Sequence, residues 1–599
     1  MMAKNETNSD HARGRLAWPL AKFGAVALAL ALSCTESADP DLGFHLATGR
    51  AVLANRSIPA QNVLSFAEPN HPWLDHSALS SVALELAYRA GGFVGTRLLQ
   101  ASITALIALF VMGAARRLGA RPGIAFFFCA LGAWAAAFRF VERPLIFSNL
   151  ALAAALWTYA VLHERISQAQ NDRLKLPCVG AGLAMALGAQ LHAGAIFAVA
   201  ILTAMALGLA IEPWTARYKK PFVDAYVARR AALGLFLATA AALVVAAAML
   251  AMYHPFGVAV LSVPFRIGFD AYLLEHIVEF RAAYELPFRV LAPFWLFFVL
   301  AVAVVGANIK RAPLPLLVPV VAGFALAIRH GRFVDLAWIT AAPALATLAS
   351  ESLSPLRREN LFASGILVAA LLDRTAVAPM KIGPSAAVWP MPLFDVVQSK
   401  HLDGPSFVQD GWAGPFLARF WPKERVFFHP VFEAYSKEHI ELYQSVRYGE
   451  KGWEETFDKY DIQVVLMKHT SEREREFQLG KPNLRQHLAA NPGWALLAFD
   501  EFGALWVRRN GKNAGALDNL PSMVDPDRGS FVARPKLSRR GLETLLQQGP
   551  VTVRLMLLLA VARADDGDRQ GVKELLERVA RESPDDPRFE TTRAFLMKH

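Results

Sequence analysis

Asp39, Asp41, His45 and Arg50 fall in one short stretch, Asp39-Pro40-Asp41-Leu42-Gly43-Phe44-His45-Leu46-Ala47-Thr48-Gly49-Arg50. If that stretch is helical from Pro40, Asp41 and His45 share a face at i, i+4. A carboxylate so placed can take the proton that a hydroxyl loses as it attacks. Cationic donors nearby can hold the charge that develops on a departing phosphate. Asp39 is also a good N-cap residue, and Pro40 is well placed at the first helical position. Capping accounts for Asp39 alone; it leaves the second acid, the histidine and the arginine without a role.

Further cations lie at the edges of apolar segments: Arg139, Arg143, His192, Arg266, Arg281, Arg329, His330 and Arg332. Arginines in such places also anchor helices by snorkelling. Together with His45 and Arg50, the residues His76, Arg143, His192, Arg281 and Arg332 are the substrate-binding candidates, and Asp39 and Asp41 the catalytic ones. Glu279 and Glu285 are auxiliary acids. The cluster His71-Pro72-Trp73-Leu74-Asp75-His76 reads as a turn, with Trp73 as an interfacial anchor and Asp75 capping a helix that begins near Ser77. A His-Asp-His metal site is the weaker reading. A divalent cation is left open as a cofactor, and no metal ligand is assigned. No Walker motif, GxSxG elbow or HExxH is present, and no chain of intramembrane acids and bases marks a proton-coupled transporter.

The elements that must position these groups are mostly apolar. With 54% hydrophobic and 19% charged residues, the chain is too apolar for a soluble protein of its length. A span needs about 20 apolar residues. Eleven spans are expected, near 16–34, 93–115, 122–140, 144–162, 176–190, 194–212, 231–253, 290–307, 314–328, 334–350 and 360–372; the pair at 176–212 could form one long kinked helix. Residues 13–34 have the outline of a cleaved signal, but the apolar run is long enough to span and is read as the first span. Lys and Arg concentrate in alternate loops, such as Arg116, Arg117 and Arg121, or Arg229 and Arg230, while the loops between them contain no Lys. The positive-inside rule therefore puts the N-terminus in the cytoplasm and everything after about residue 373 outside. The net charge of +11 serves this orientation, so nucleic acid is not an expected partner. Cys34, Cys129 and Cys178 lack the spacing of a disulfide framework or a zinc site.

Two outer loops are large, 35–92 and 254–289. In the first, helices from about Leu42 and from Ala78 to Tyr88 are expected to be amphipathic and to lie along the membrane surface. The expected domains are a transmembrane domain over 1–372, an outer α/β domain over 373–510, a linker over 511–540 and tetratricopeptide-like helical hairpins over 541–599. In the α/β part, Arg425–Phe428, Gln463–Met467, Trp494–Phe499 and Ala504–Val507 read as strands, and 437–446 and 453–460 as helices. The tail has a turn at Asp566-Gly567-Asp568 between helices; one such unit is below the ~3 repeats an independent array needs.

This layout resembles the GT-C glycosyltransferases, in particular the bacterial RgtA/B/C/D-like and mannosyltransferase-type membrane enzymes. The strings that carry the resemblance are Asp39 to Arg50, Pro72-Trp73-Leu74-Asp75-His76, Arg143-Pro144 and Leu191-His192-Ala193-Gly194, with weaker agreement at Tyr253 to Gly257 and Ile277 to Glu279. The resemblance implies an α-helical polytopic membrane protein of the bacterial inner membrane. It also implies transfer of a sugar from a polyprenyl-phosphate donor to a glycan, lipid or protein acceptor at the periplasmic face, with Asp39 first and Asp41 second as base. The family commonly has adjacent Asp-Glu where this chain has Asp-Pro-Asp, a bulkier aromatic at the position of Gly43, and a glycine at that of Ala193. Two other functions are open: a non-catalytic scaffold for cell-envelope assembly that docks a protein through the C-terminal helices, and a lipid-linked oligosaccharide ligase.

Overall fold

The computed structural model describes residues 2–217, 223–276, 280–353, 359–377, 381–469, 483–517, 539–584 and 586–596. It divides into two compact units. The first comprises Met1–Ser37, Val52–Ala60 and Leu74–Gly383; the second comprises Ala38–Ala51, Gln61–Trp73 and Pro384–His599. Glu279 and most of the expected 511–540 linker lie outside the described residues.

The first unit is helical. Among the described residues, seven helices are long and apolar enough to cross a membrane: Ala78–Arg117, Pro122–Arg139, Leu145–Ser167, Ala193–Thr215, Ala225–Tyr253, Phe288–Asn308 and Gly331–Ser352. Such runs close all their backbone hydrogen bonds internally, as lipid requires. Ala17–Ser33, Lys175–Leu191, Gly257–Phe269 and Leu314–Arg329 are shorter apolar helices. The last expected span falls in the helix Glu359–Val377, which is not among the seven. Ala78–Arg117 breaks at Gly91 and Gly92, and Gly92 has φ 58° and ψ −140°, a conformation open to glycine and strained for other residues. Lys175–Leu191 and Ile196–Ile211 are two helices, because His192 between them is extended, with φ −158° and ψ 131°.

Small residues let the helices approach closely. A Cβ at Gly132 would stand 2.4 Å from the Trp338 ring, and one at Gly188 would stand 2.4 Å from Ala151 Cβ. Among the described residues, Arg97 and Glu142 form a fully buried ion pair in this packing, 2.8 Å apart. Arg97 also donates to the carbonyls of Phe140 and Glu36, and Ser37 Oγ donates to Glu142.

The second unit is built on a four-stranded sheet with strand order β1-β2-β4-β3: β1 Ser406–Val408, β2 Val464–Lys468, β3 Trp494–Phe499 and β4 Gly503–Arg508. β1 and β2 are parallel, while β2–β4 and β3–β4 are antiparallel, with Leu466 opposite Leu505. The strands are buried almost throughout, which fits their continuous apolar runs. Helices Asp410–Phe420, Lys437–Arg447 and Trp453–Lys459 belong to the same unit. The tail helices Arg539–Gln548, Val553–Asp565, Arg569–Glu582 and Pro587–Leu596 are tied to the β3–β4 turn. Glu501 in that turn accepts from the Arg554 amide and pairs with Arg588.

Four local expectations change. Residues 38–51 and 61–73 of the first outer loop fall in the second unit, so this loop is not wholly part of the membrane unit. The helix Asp41–Asn55 is not a surface helix: residues 42–49 and 51 are all buried, leaving no continuous polar face for water. Trp73 is buried, 2% exposed and 6.0 Å from the His429 ring, so it is a packing residue and not an interfacial anchor. Arg425–Phe428 forms no regular strand. Only Val426 bridges, to Ser65 and to Ser406, while Phe427 and Phe428 are both buried, which period-two alternation on a one-faced strand would not permit.

Gly43 explains how the Asp41–Asn55 helix fits. A Cβ there would stand 2.1 Å from the Gly414 backbone carbon, and a Cβ at Gly414 would stand 2.2 Å from the Pro40 carbonyl. A bulkier side chain at 43 is therefore excluded. Gly43→Ala gains up to about 1 kcal/mol of helix propensity, but overpacking against backbone costs about 1–3 kcal/mol or more. Thermal unfolding of purified Gly43→Ala should show a lower transition temperature than wild type.

The segment 61–73 is held by polar contacts. His429 bonds Asn62 Oδ1 through Nε2 at 3.1 Å, Asn62 donates to the Ala434 carbonyl, and Glu68 accepts from Ser436. Burial, with a smaller effect from His439, pushes the His429 pKa down to about 3. A histidine whose folded pKa is depressed stabilises the fold above its unfolded value near 6.5, and that stability is lost as pH falls. Between pH 7 and pH 5, His429 should cost the fold about 2 kcal/mol. Unfolding of wild type and His429→Asn across this range should show the smaller pH dependence in the variant.

Candidate active site

Asp39 is buried, 4% exposed, and its Oδ1 accepts from the Asp41 amide at 3.0 Å. This is N-cap geometry, with Pro40 and Asp41 opening the helix Asp41–Asn55. Asp41 is half-buried, and His45 is buried one turn further on the same face, its ring 4.2 Å from that of Phe44. Arg50 donates to the Ala418 carbonyl at 3.0 Å, in the last turn of Asp410–Phe420, where a cation complements the exposed carbonyl end. These four residues belong to the second unit.

In the first unit, a recess of about 440 Å³, counting its open mouth, brings together three other candidates. His76, His192 and Arg332 line it, among Leu145, Phe197, Val263, Pro264, Ile267, Phe280 and Phe333. Backbone bonds gather the segments: the Ala193 amide donates to the His76 carbonyl, and the Gly331 amide to the Arg281 carbonyl. Ser80 Oγ donates to the Leu191 carbonyl. His254 accepts the Phe256 amide on Nδ1, so its Nε2–H donates to the Asp75 carbonyl at 2.8 Å. Asp75 accepts from the Ser77 amide and hydroxyl in the turn before the helix; Ser77 itself stands at the N-cap, so Asp75 orders the turn and does not cap the helix as expected.

The imidazoles are neutral donors. The Gly194 amide reaches His192 Nδ1 at 3.1 Å, and because an N–H can only donate, Nδ1 is an acceptor. Ser148 Oγ, 2.8 Å from the same nitrogen, must then donate too. The network assigns the ring proton to Nε2. The His76 ring lies 5.2 Å from that of His192, and its pKa is lowered, by burial first and by Arg332, against the opposite pull of Asp75. Arg332 stacks over Phe280, 4.5 Å from the ring centre. The recess thus offers one permanent cation, imidazole N–H donors and an apolar wall, which suits a phosphate carried on an apolar chain.

Arg143 is half-buried just before the helix Leu145–Ser167, and the exposed side chain of Arg281 is not among the recess-lining residues. Among the described residues, no group of three His, Cys, Asp or Glu side chains is arranged to hold a metal ion.

No family model matches the sequence, and no curated protein does. Solved structures do match. The oligosaccharyltransferase AglB from Archaeoglobus fulgidus, in complex with an inhibitory peptide and a dolichol-phosphate, aligns at TM-score 0.53 and 13% identity. The match covers 75% of this chain and 69% of that one. An Archaeoglobus fulgidus oligosaccharyltransferase in complex with Zn and sulfate aligns at TM-score 0.53 and 14% identity, over 81% and 72%.

The chain has the GT-C fold. It is mostly helical, and its apolar helices are those of a membrane protein.

Sequence reading missed Ser148, Gly194 as a positioning residue, and Phe280. The available signal was the extended turn at Leu191-His192-Ala193-Gly194, which needed a partner for a histidine at a helix break. A Cβ at Gly194 would stand 2.7 Å from His192 Nδ1 and 3.1 Å from Ser148 Oγ. Gly194→Ala combined with Ser148→Ala should release Nδ1. Nitrogen-15 shifts of labelled histidine should show the Nε2–H tautomer of His192 in wild type and a mixture in the double variant, with Ser148→Ala alone keeping the wild-type tautomer through the Gly194 amide.

Proposed function

We propose that this protein is a glycosyltransferase that takes a sugar from a polyprenyl-phosphate donor and passes it to a hydroxyl or other nucleophilic acceptor at the outer face of the membrane. The observation that carries this reading is the recess of His76, His192 and Arg332, with fixed imidazole tautomer, permanent cation and apolar wall. A lipid-linked phosphate needs those features as its charge grows on departure. The dolichol-phosphate held by the similar archaeal oligosaccharyltransferase is consistent with it.

In this reading Arg332 and His192 Nε2–H stabilise the departing lipid phosphate, and His76 adds a neutral donor. Asp41 or Asp39 accepts the acceptor's proton as the new glycosidic bond forms and the sugar–phosphate bond breaks. Asp39 accepts from the Asp41 amide and so sets the start of the helix that puts Asp41 and His45 on one face, which makes Asp41 the base in this reading. His45 lies one turn along the same face and steadies the acid. Arg50 is given a structural role at the Ala418 carbonyl. The eleven-span arrangement, a cytoplasmic N-terminus, an inner-membrane location and an outer α/β domain that binds the acceptor belong to the same proposal.

The test is sugar transfer from a defined polyprenyl-phosphate sugar in proteoliposomes. Asp41→Asn should lower turnover by 10² or more, in the range of removed general bases, without lowering donor binding. Arg332→Gln should weaken donor binding by about tenfold or more. Wild-type turnover in both Asp39→Asn and Asp41→Asn would contradict the mechanism. Truncation after residue 540 distinguishes a scaffold, which should lose its function outright, from a transferase, which should keep donor binding.

A further inference from the structure

A second cavity in the first unit, of about 810 Å³ with its open mouth, is lined by Leu32, Trp134, Phe138, Arg289, Asp373 and Arg374 together with smaller apolar groups. It shares no lining residue with the His76–His192–Arg332 recess. Asp373 is already engaged, since its Oδ2 accepts from Trp134 Nε1 at 2.8 Å. Among the described residues, neither Arg289 nor Arg374 has a hydrogen-bond or ion-pair partner, and Arg374 Nε is buried without one. Two guanidiniums facing one cavity with a single, already bonded carboxylate leave it net positive. A buried donor without a partner is costly, and a planar fork of donors matches phosphate oxygens in particular.

The walls set the rest of the chemistry. Leu32, Phe138, Val290 and Pro293 are apolar, so the anion that fits carries hydrocarbon. The cavity also lies where helices end: Leu32 near the end of Met2–Ser33, Arg289 at the start of Phe288–Asn308, and Arg374 in the last turn of Glu359–Val377. The orientation expected from the basic loops makes that the outer membrane edge, where a lipid headgroup is available from the bilayer.

We infer that this cavity binds the phosphate-monoester head of an anionic membrane lipid through Arg289 and Arg374, with Trp134 holding Asp373 aside. This stands apart from the glycosyl-transfer reading, because none of its residues serves there. The experiment uses the full chain carrying Arg332→Gln, so that the other recess does not contribute. Protein in nanodiscs of dioleoylphosphatidylcholine with a minor fraction of dioleoylphosphatidic acid is analysed by native mass spectrometry for retained lipid. Arg289→Gln with Arg374→Gln should lower phosphatidic acid retention by about tenfold. Asp373→Asn, which keeps an acceptor for Trp134 and removes the opposing charge, should raise it; this arm decides the matter even if the double variant fails to fold. Unchanged retention in both, equal retention of phosphatidylcholine, or displacement by an equal concentration of inorganic phosphate would overturn the inference.

Discussion

A charge buried at the ends of a helical bundle must meet its counter-charge on the spot, and Arg97 with Glu142 does so in the first unit. Neither side chain is more than 1% exposed, so removing one would strand the other at a cost of about 3–5 kcal/mol. The pair organises the chain around it. Arg97 holds the carbonyls of Glu36 and Phe140, and Glu142 holds Ser37. Three residues past Glu142 begins the helix Leu145–Ser167, which carries Ser148 to Nδ1 of His192. The segments around Ser37, Phe140 and the start of that helix are thus gathered in the first unit by one buried ion pair.

The recess gains from having its histidines neutral. Two imidazolium ions beside Arg332 would repel one another and would be desolvated at high cost, whereas N–H donors contribute without that penalty. Fixing the His192 tautomer with a backbone amide and a hydroxyl means the donor need not reorganise when a phosphate gains charge. Gly194 matters because the amide that sets the tautomer can approach only where no Cβ intervenes.

The mostly helical class, the positions of most apolar helices and the break at His192 were legible because apolar runs and helix breakers act locally. So were the cap at Asp39 and the turn before Ala78, which depend on residues two apart. His192 and Arg332 were recognised by type and by their place at span edges, and His76 by its loop cluster, but their meeting in one recess was not, since it depends on contacts between segments more than a hundred residues apart. The surface-helix reading of Asp41–Asn55 failed for the same reason. Its polar residues imitate a solvated face, and nothing local reveals that Gly43 seats it against Gly414. Trp73 misled similarly: an indole in a Pro-containing outer loop looks like an interfacial anchor until its neighbour His429 is known.

The most direct test of the account is a density map of the protein saturated with a polyprenyl phosphate. A phosphate should appear within hydrogen-bond distance of the Arg332 guanidinium and His192 Nε2, with the chain running along Phe197, Ile267 and Phe280. A phosphate bound elsewhere, with this recess empty at saturation, would contradict it.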